Sequence, residues 1–452
     1  MIAMKDSGIQ WYGEIPADWD VKRMKFTISD YKSGPFGSSL ITSKLLEDGD
    51  VLVYTPEHVA KKSDFVDVNL YLPSERIEEM SQFRVNKGDV VFPIVGTLGR
   101  AMIITEDMTD GIINQRLAKF RIRENEFTER FFMWFYSQGP SCFAYIDSQS
   151  HGVAIMNITK KMLSDMPVLI PPIMEQEAIS DYLDDKCGKI DEAISRHNAI
   201  IEKLEEYRKS VVTQAVTKGL NPDEKMKDSG VKWVGNINCN YTMTPIKYLF
   251  EHGQGRLKVG PYGSSMKGKT KKSGPYKVYN QAHLISGDFS LNRHFISAED
   301  FEELSAYEIL PGDILFSVMG TVGKCKFMPV GFPRGIMDSH LMKARLNKKI
   351  IPEFFEYVYD KDHSSVIISQ MLEATNGSIM DGLNSEIVKT MLIPLPSIEE
   401  QHEIVKYLNG KCSKIDEAIS RQNVVIAKLE EYKKSIIYAA VTGKIDCRKE
   451  ES

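Results

Sequence analysis

The stretch GPYGSSMKGKT, Gly260 to Thr270, carries the spacing of a phosphate-cradling loop: Gly263, Gly268, Lys269 and Thr270 fit G-x-x-x-x-G-K-[ST]. In such a loop bare backbone N–H groups wrap the phosphates, the lysine neutralises them and the hydroxyl holds Mg. That chemistry needs a strand before the loop and a helix opening at the lysine. Here Lys271-Lys272-Ser273-Gly274-Pro275 follow, and a Gly-Pro pair stops a helix. The expectation is therefore a basic loop, Lys267, Lys269, Lys271 and Lys272, that meets the phosphates of a nucleic acid. A P-loop NTPase is kept only as an alternative.

Other residues suit recognition rather than reaction. Gly34–Ser39 matches Gly260–Ser265, which makes Ser38, Ser39, Ser264 and Ser265 candidate contacts. Gly96-Thr97-Leu98-Gly99-Arg100 matches Gly320-Thr321-Val322-Gly323-Lys324. A glycine loop ending in a cation offers N–H groups and one charge to a phosphate, so Thr97, Arg100, Thr321 and Lys324 join the set. Its plainer reading is a hairpin turn. Asn114-Gln115-Arg116 and Asp338-Ser339-His340 each stand before a strand. Asn and Gln pair with adenine and Arg with guanine in the major groove, so Asn114, Gln115, Arg116, Ser339 and His340 are candidate base readers. His58 and His283 also correspond, and a lone histidine is more often a structural hydrogen-bonder. No amino-methyltransferase motif, H-x-x-x-H, G-x-S-x-G or metal-ligand spacing occurs, and nothing supports catalysis within the chain.

These pairs exist because the chain is written twice, with a period near 225 residues. KDSGIQWYGEIP at Lys5 recurs as KDSGVKWVGNIN at Lys227, and NKGDVVFPIVGTLGR as LPGDILFSVMGTVGK. The closest repeat is CGKIDEAISRHNAIIEKLEEYRKSVVTQAVT at Cys187 against CSKIDEAISRQNVVIAKLEEYKKSIIYAAVT at Cys412. Proline-marked starts and Gly219 and Gly443 past the ends predict helices over 174–216 and 399–441. Apolar residues recur every three and four places: Leu183, Cys187, Ile190, Ile194, His197, Ile201, Leu204, then Arg208 and Val211. The second copy has Leu408, Cys412, Ile415, Ile419, Gln422, Ile426, Leu429, then Lys433 and Ile436. Such a seam needs a partner, and the other copy matches it slot for slot. An antiparallel pair would either bring His197 and Gln422 together as a polar layer or leave both side chains turned outward.

Short strand patterns (DVLVY, GDVVF and RLAKFRI; YKVYN, GDILF and LMKARL) alternate with helical stretches such as TERFFMWFYSQ and IPEFFEYVYDK, an α+β pattern without doubly wound alternation. The expected organisation is a globular domain over 1–165, a helical spacer over 166–226, a second globular domain over 227–391 and a distal helical region over 392–452. The composition is that of an ordinary globular protein, 42% hydrophobic and 26% charged, and the net charge of −5 neither requires nor excludes nucleic acid. Six scattered cysteines and no apolar run near the ~20 residues of a spanning helix point to a cytoplasmic protein away from the membrane.

The arrangement resembles the specificity subunit of type I restriction–modification systems over nearly the whole chain. The resemblance rests on the domain–helix–domain–helix order and on IPPIMEQEAISDYLDDKCGKIDEAI and IPLPSIEEQHEIVKYLNGKCSKIDEAI. The endings AVTKGL and AVTGKID and the loops GDVVFPIVGTLG and GDILFSVMGTVG add to it. It implies two target-recognition domains, each reading half of a split double-stranded DNA site, and an antiparallel coiled coil that sets the unread gap within an internal pseudo-twofold repeat. It also implies two docked modification subunits using S-adenosylmethionine to methylate adenine N6, and restriction subunits using ATP and Mg. This chain would bind none of those cofactors. The competing class is a coiled-coil scaffold without a nucleic-acid role.

Overall fold

The computed structural model describes residues 3–448 apart from 36–39, 41–44, 97–98, 124–125, 139–143, 147, 150–157, 254–255, 320, 361 and 375–383. The chain divides into two compact units, Met1–His197 with Val424–Ser452, and Asn198–Asn423. Each unit takes its globular part from one copy of the repeat and its helical part from both long helices, which run Ile173–Lys218 and Ile398–Val441.

The strands of the first unit are β1 (Met4–Asp6), β2 (Glu14–Pro16), β3 (Asp20–Arg23), β4 (Ile28–Ser33), β5 (Leu52–Tyr54), β6 (Asp89–Pro93), β7 (Met102–Ile103), β8 (Gly111–Ile113), β9 (Leu117–Ile122) and β10 (Pro167–Ile170). An antiparallel sheet runs β4-β9-β6-β7, and β5 pairs with β8 in parallel. The second unit has β11 (Met226–Asp228), β12 (Asn236–Asn238), β13 (Thr242–Pro245), β14 (Lys258–Val259), β15 (Tyr276–Tyr279), β16 (Phe295–Ile296), β17 (Glu308–Ile309), β18 (Ile314–Ser317), β19 (Cys325–Phe327), β20 (Gly335–Met337), β21 (Leu341–Ala344) and β22 (Leu392–Leu395). Its antiparallel sheet runs β14-β21-β18-β19, and its second sheet β16-β15-β20-β17 holds one parallel pair, β15 with β20. The expected strands and helices appear in both units. The parallel pair does not follow from the strand patterns, because a single such pair leaves no alternation to read.

A buried aspartate ties the central strands. Asp89 opens β6 at 3% exposure, and its carboxylate accepts from Lys119 at 2.7 Å and Arg121 at 3.1 Å, both on β9. Asp313, just before β18, takes Arg345 at 2.8 Å and Lys343 at 3.5 Å. Two cations and a backbone N–H (Asn86 or Leu310) compensate the cost of burying each carboxylate. Aromatic side chains fill the space behind the sheet. Phe92, Phe120, Phe132 and Tyr136 pack together in the first unit, and Phe316, Phe355 and Tyr359 in the second.

The first turn of each long helix is fastened to its globular part by a fully buried glutamine. Gln176 Oε1 accepts from the Thr128 N–H at 2.7 Å, while Nε2 donates to the carbonyls of Pro171 at 2.9 Å and Glu126 at 3.0 Å. Gln401 repeats the device with the Ile351 N–H and the carbonyls of Lys349 and Pro396, at 2.8, 3.0 and 3.1 Å. The adjacent carboxylates accept from buried aromatics, Glu175 from Trp19 at 3.0 Å and Glu400 from Tyr241 at 2.5 Å.

In each unit the two helices run antiparallel. In the first unit Asp191 meets Lys433 at 2.6 Å and Glu175 meets Arg448 at 4.0 Å, while Leu183, Cys187 and Ile190 share a core with Ile436 and Ile437. In the second, Arg208 meets Asp416 at 2.6 Å, and Gly219 lies beside Glu400. There Leu408 and Cys412 share a core with Val212 and Val216. Ile415 is buried, and Ile194, His197, Ile201, Leu204, Ile419, Gln422, Ile426 and Leu429 are half-buried, so every seam position is less exposed than the charged flanks. Gly219 and Gly443 cap the helices at φ 78° and 70°.

The hairpin β11–β12 follows the first long helix and packs on its C-terminal end, where Asn238 donates to the Lys218 carbonyl at 3.4 Å. In the first unit the hairpin β1–β2 takes the same place on the second long helix: Tyr438 donates to the Trp11 carbonyl at 2.7 Å, and a Cβ on Gly443 would overlap Pro16. Each unit is thus assembled from the same parts in a rotated chain order.

Candidate nucleic-acid interface

A three-residue turn leads from the parallel-paired strand into the antiparallel sheet of each unit, Asn114-Gln115-Arg116 between β8 and β9 and Asp338-Ser339-His340 between β20 and β21. Asn114 Oδ1 accepts from the Arg116 N–H at 2.9 Å, and Asp338 Oδ1 from the His340 N–H at 2.9 Å. Both are Asx turns, so the first side chain is spent on shaping the backbone. The next two residues form the tip. Gln115, Arg116 and His340 are exposed and Ser339 is half-buried.

Two glycine loops are pressed onto this turn. The Gly34 N–H donates to the Leu117 carbonyl and the Gly260 N–H to the Leu341 carbonyl, each at 2.9 Å. A Cβ on Gly34 would overlap the Asn114 carbonyl oxygen, and one on Gly260 the Asp338 carbonyl oxygen. The requirement here is room for backbone to pass backbone. On the other side Ile94 donates to the Arg116 carbonyl at 2.9 Å, and Val318 to the His340 carbonyl at 3.1 Å. Gly96 has φ 86°, and its missing Cβ would stand 3.1 Å from the Arg116 guanidinium. Three loops far apart in sequence therefore meet at one place in each unit.

In the second unit this place holds a depression of about 580 Å³ lined by Ser264, Lys267, Ser339 and His340, with Asn280, His294 and Asp338 beside them. Asp338 Oδ2 lies 3.2 Å from His340 Nδ1, and burial pushes the Asp338 carboxyl above the usual carboxylate range, opposed by the His340 N–H and ring. Amide, carboxyl, imidazole, hydroxyl and ammonium groups around one opening can pair with the edge of a base. Asn280, His294 and Asp338 were not among the expected contacts. Only their placement in the fold joins them to the glycine loop.

Several expected contacts have other work. Lys324 is held by Asp360 at 3.6 Å and by Asp362, with only 14% of its side chain exposed, which ties its charge inside the unit. Lys269 pairs with Glu303 at 2.5 Å. The local helix is Gly263–Met266, ending before Lys269 instead of opening at it, and Lys271 bridges to Phe295 through the backbone. The geometry of a phosphate-cradling loop is absent there. Thr321 uses its carbonyl to accept from the Ser317 hydroxyl at 2.5 Å. Arg100, Lys267, Lys271, Lys272 and Ser264 are exposed and Ser265 is half-buried, whereas Ser38, Ser39 and Thr97 lie outside the described residues.

His58 and His283 are fully buried helix caps. His58 Nδ1 accepts from the Thr55 N–H and His283 Nδ1 from the Asn280 N–H, both at 3.1 Å, and His283 Nε2–H donates to the Leu291 carbonyl at 3.1 Å. Burial lowers both pKa values and keeps the rings neutral. Among the described residues no group of His, Cys, Asp and Glu could hold a metal, and no helix is long and apolar enough to cross a membrane.

Comparison with known proteins agrees with this duplicated plan. The family model for the type I restriction modification DNA specificity domain matches residues 18–206 and 260–429. The chain is 24% identical over 339 residues to the type I restriction enzyme EcoBI specificity subunit of Escherichia coli, covering 74% of this chain and 69% of that one. It is 21% identical over 441 residues to the type I restriction enzyme MjaVIII specificity subunit of Methanocaldococcus jannaschii, covering 95% and 94%. A chain from a structure described as the basis of complex assembly and conformational transition of the type I R-M system aligns with a TM-score of 0.61. That alignment has 13% identity over 95% of this chain and 99% of that one, a likeness of fold.

Proposed function

The chain belongs to the type I restriction modification DNA specificity family, and we propose on that premise that each of its two units reads one half of a split double-stranded DNA site. One observation carries this reading. The same frame (close-approach glycine, Asx turn and second glycine loop) is built twice, yet its tip bears Gln115-Arg116 in one unit and Ser339-His340 in the other. A shared frame with unlike tips is what two readers of unlike sequences require.

The chain contributes recognition, and chemistry would come from partners. Two modification subunits docked on the helices would methylate adenine N6 with S-adenosylmethionine. Restriction subunits, where the system has them, would use ATP and Mg. The antiparallel helices would set the unread gap between half-sites, and the assembly would work in the cytoplasm. Gln115, Arg116, Ser339, His340, Lys267, Lys271 and Lys272 are the contacts best placed for DNA, being at or near the converging loops with most of them exposed. A titration of the target duplex over a range of salt tests this reading. Affinity should fall steeply as salt rises, by counterion release. Binding that ignores salt, or that is equal for any duplex, would favour a scaffold without a DNA role.

A further inference from the structure

Asp338 does more than its counterpart in the first unit. Asn114 shapes its turn with one oxygen, Oδ1, which accepts from the Arg116 N–H at 2.9 Å, and Asp338 Oδ1 serves the His340 N–H at the same distance. An amide would suit the second turn as well as it suits the first. The second unit has instead a carboxylate whose side chain is only 19% exposed, and its other oxygen lies 3.2 Å from His340 Nδ1. Asp313 is buried against Lys343 and Arg345, whereas Asp338 has no lysine or arginine partner among the described residues. Burial raises its carboxyl, and the His340 N–H and ring oppose that rise. A half-buried carboxylate answered by one histidine is an unfavourable way to make a turn that an amide makes freely.

The ring gains what the turn does not need. An ionised carboxylate can only accept, so in this contact Nδ1 carries the proton. The Ser339 hydroxyl stands farther from the same nitrogen, at 3.5 Å. A neutral ring then has its lone pair on Nε2, which has no partner among the described residues. His340 is 49% exposed and lines the depression, and its backbone is pinned by the Val318 N–H on its carbonyl at 3.1 Å. Arg116 holds the same slot in the first unit and has donors only. The two tips therefore offer opposite hydrogen-bonding faces.

We propose that Asp338 is a positioning residue that holds His340 in the tautomer with a bare Nε2, and that this nitrogen reads the exocyclic amino group of one base, adenine N6 or cytosine N4, in the half-site of the second unit. The inference deepens the reading of the chain as a DNA specificity subunit and rests on it. In the major groove adenine N6 and guanine O6 occupy the same place on a purine, and cytosine N4 and thymine O4 the same place on a pyrimidine. The amino groups donate there and the carbonyls accept. An acceptor at Nε2 pairs with the first of each couple and meets a lone pair on the second. Reversing the tautomer reverses the choice. Asp338→Asn keeps Oδ1 on the turn, as Asn114 does, and turns an NH2 group toward Nδ1, which moves the ring proton to Nε2.

The test uses the full chain with the modification subunit of its own system and duplexes carrying each of the four base pairs at every position of the second half-site. Wild type should prefer adenine to guanine, or cytosine to thymine, by about tenfold at one position, and the duplexes tell which. Asp338→Asn should exchange that preference at the same position, adenine for guanine or cytosine for thymine. The first half-site and the melting curve should stay as in wild type. His340→Ala should lose the discrimination, and in that background Asp338→Asn should alter no preference, since no ring remains to orient. An effect of Asp338 through the turn alone would persist there. A wild-type preference for guanine or thymine at the position that His340→Ala relaxes would overturn the assignment. So would a uniform loss across the half-site in Asp338→Asn, or an unchanged preference. Equal binding of wild type to any duplex would instead overturn the reading of the chain as a DNA specificity subunit, and the role of Asp338 with it.

Discussion

Replacing Gln176 by leucine isolates the joint between a long helix and its globular part. Leucine has nearly the volume of glutamine, so the change removes polar contacts without opening a large cavity. Three hydrogen bonds disappear, to the Thr128 N–H at 2.7 Å and to the Pro171 and Glu126 carbonyls at 2.9 and 3.0 Å. At about 1 kcal/mol for each bond, with the stranded Thr128 donor at the upper end, the loss should be about 3 kcal/mol. Urea unfolding followed by tryptophan fluorescence measures it in the right place. Of the four tryptophans Trp11, Trp19 and Trp134 belong to the first unit, and Trp19 donates to Glu175 beside the altered residue. A loss below about 1 kcal/mol would refute the claim that Gln176 fastens the helix.

Three further outcomes follow from the same geometry. Arg116→Ala should weaken binding at one half-site by about 1–3 kcal/mol and leave the other untouched, measured with duplexes altered in one half at a time; an equal loss at both would deny separate readers. The caps at His58 and His283 accept N–H bonds through neutral rings whose pKa values burial lowers, so their contribution is present above the ordinary histidine value and is lost as pH falls through the folded-state value. The Tm of His283→Gln should consequently fall less than that of wild type between neutral and acidic pH, and parallel curves would contradict the cap assignment. Lys269→Ala should bind and hydrolyse nucleotide no differently from wild type, since Lys269 faces Glu303 and no helix opens at it.

The long helices were legible because their signal is periodic and redundant. Seam spacing, proline starts and the two capping glycines all point to bounds within two residues of those found. The candidate interface was legible only in part. Pairing the two copies found the turn at Asn114 and Asp338 and the glycines that touch it, but not which side chains face outward. Lys324 and Arg100 occupy the same slot in the pattern, yet Asp360 and Asp362 engage Lys324, and those carboxylates lie more than thirty residues away in sequence. Asn280 reaches the depression because parallel pairing of β15 with β20 sets it beside Asp338, and His294 because antiparallel pairing of β15 with β16 sets it beside Val278, registers that no local pattern encodes. The paired carboxylates Asp89 and Asp313 stand within the strand motifs GDVVF and GDILF, where local sequence gives them no role, since their cations come from a different strand.

Methylome sequencing of a host that expresses this chain with its modification subunit puts the central claim to its most direct test. Two separate readers predict one bipartite motif, two short specified parts flanking a fixed unspecified gap, with Arg116→Ala relaxing only one part. A continuous motif, or a methylation pattern unchanged by removing this chain, would contradict the account.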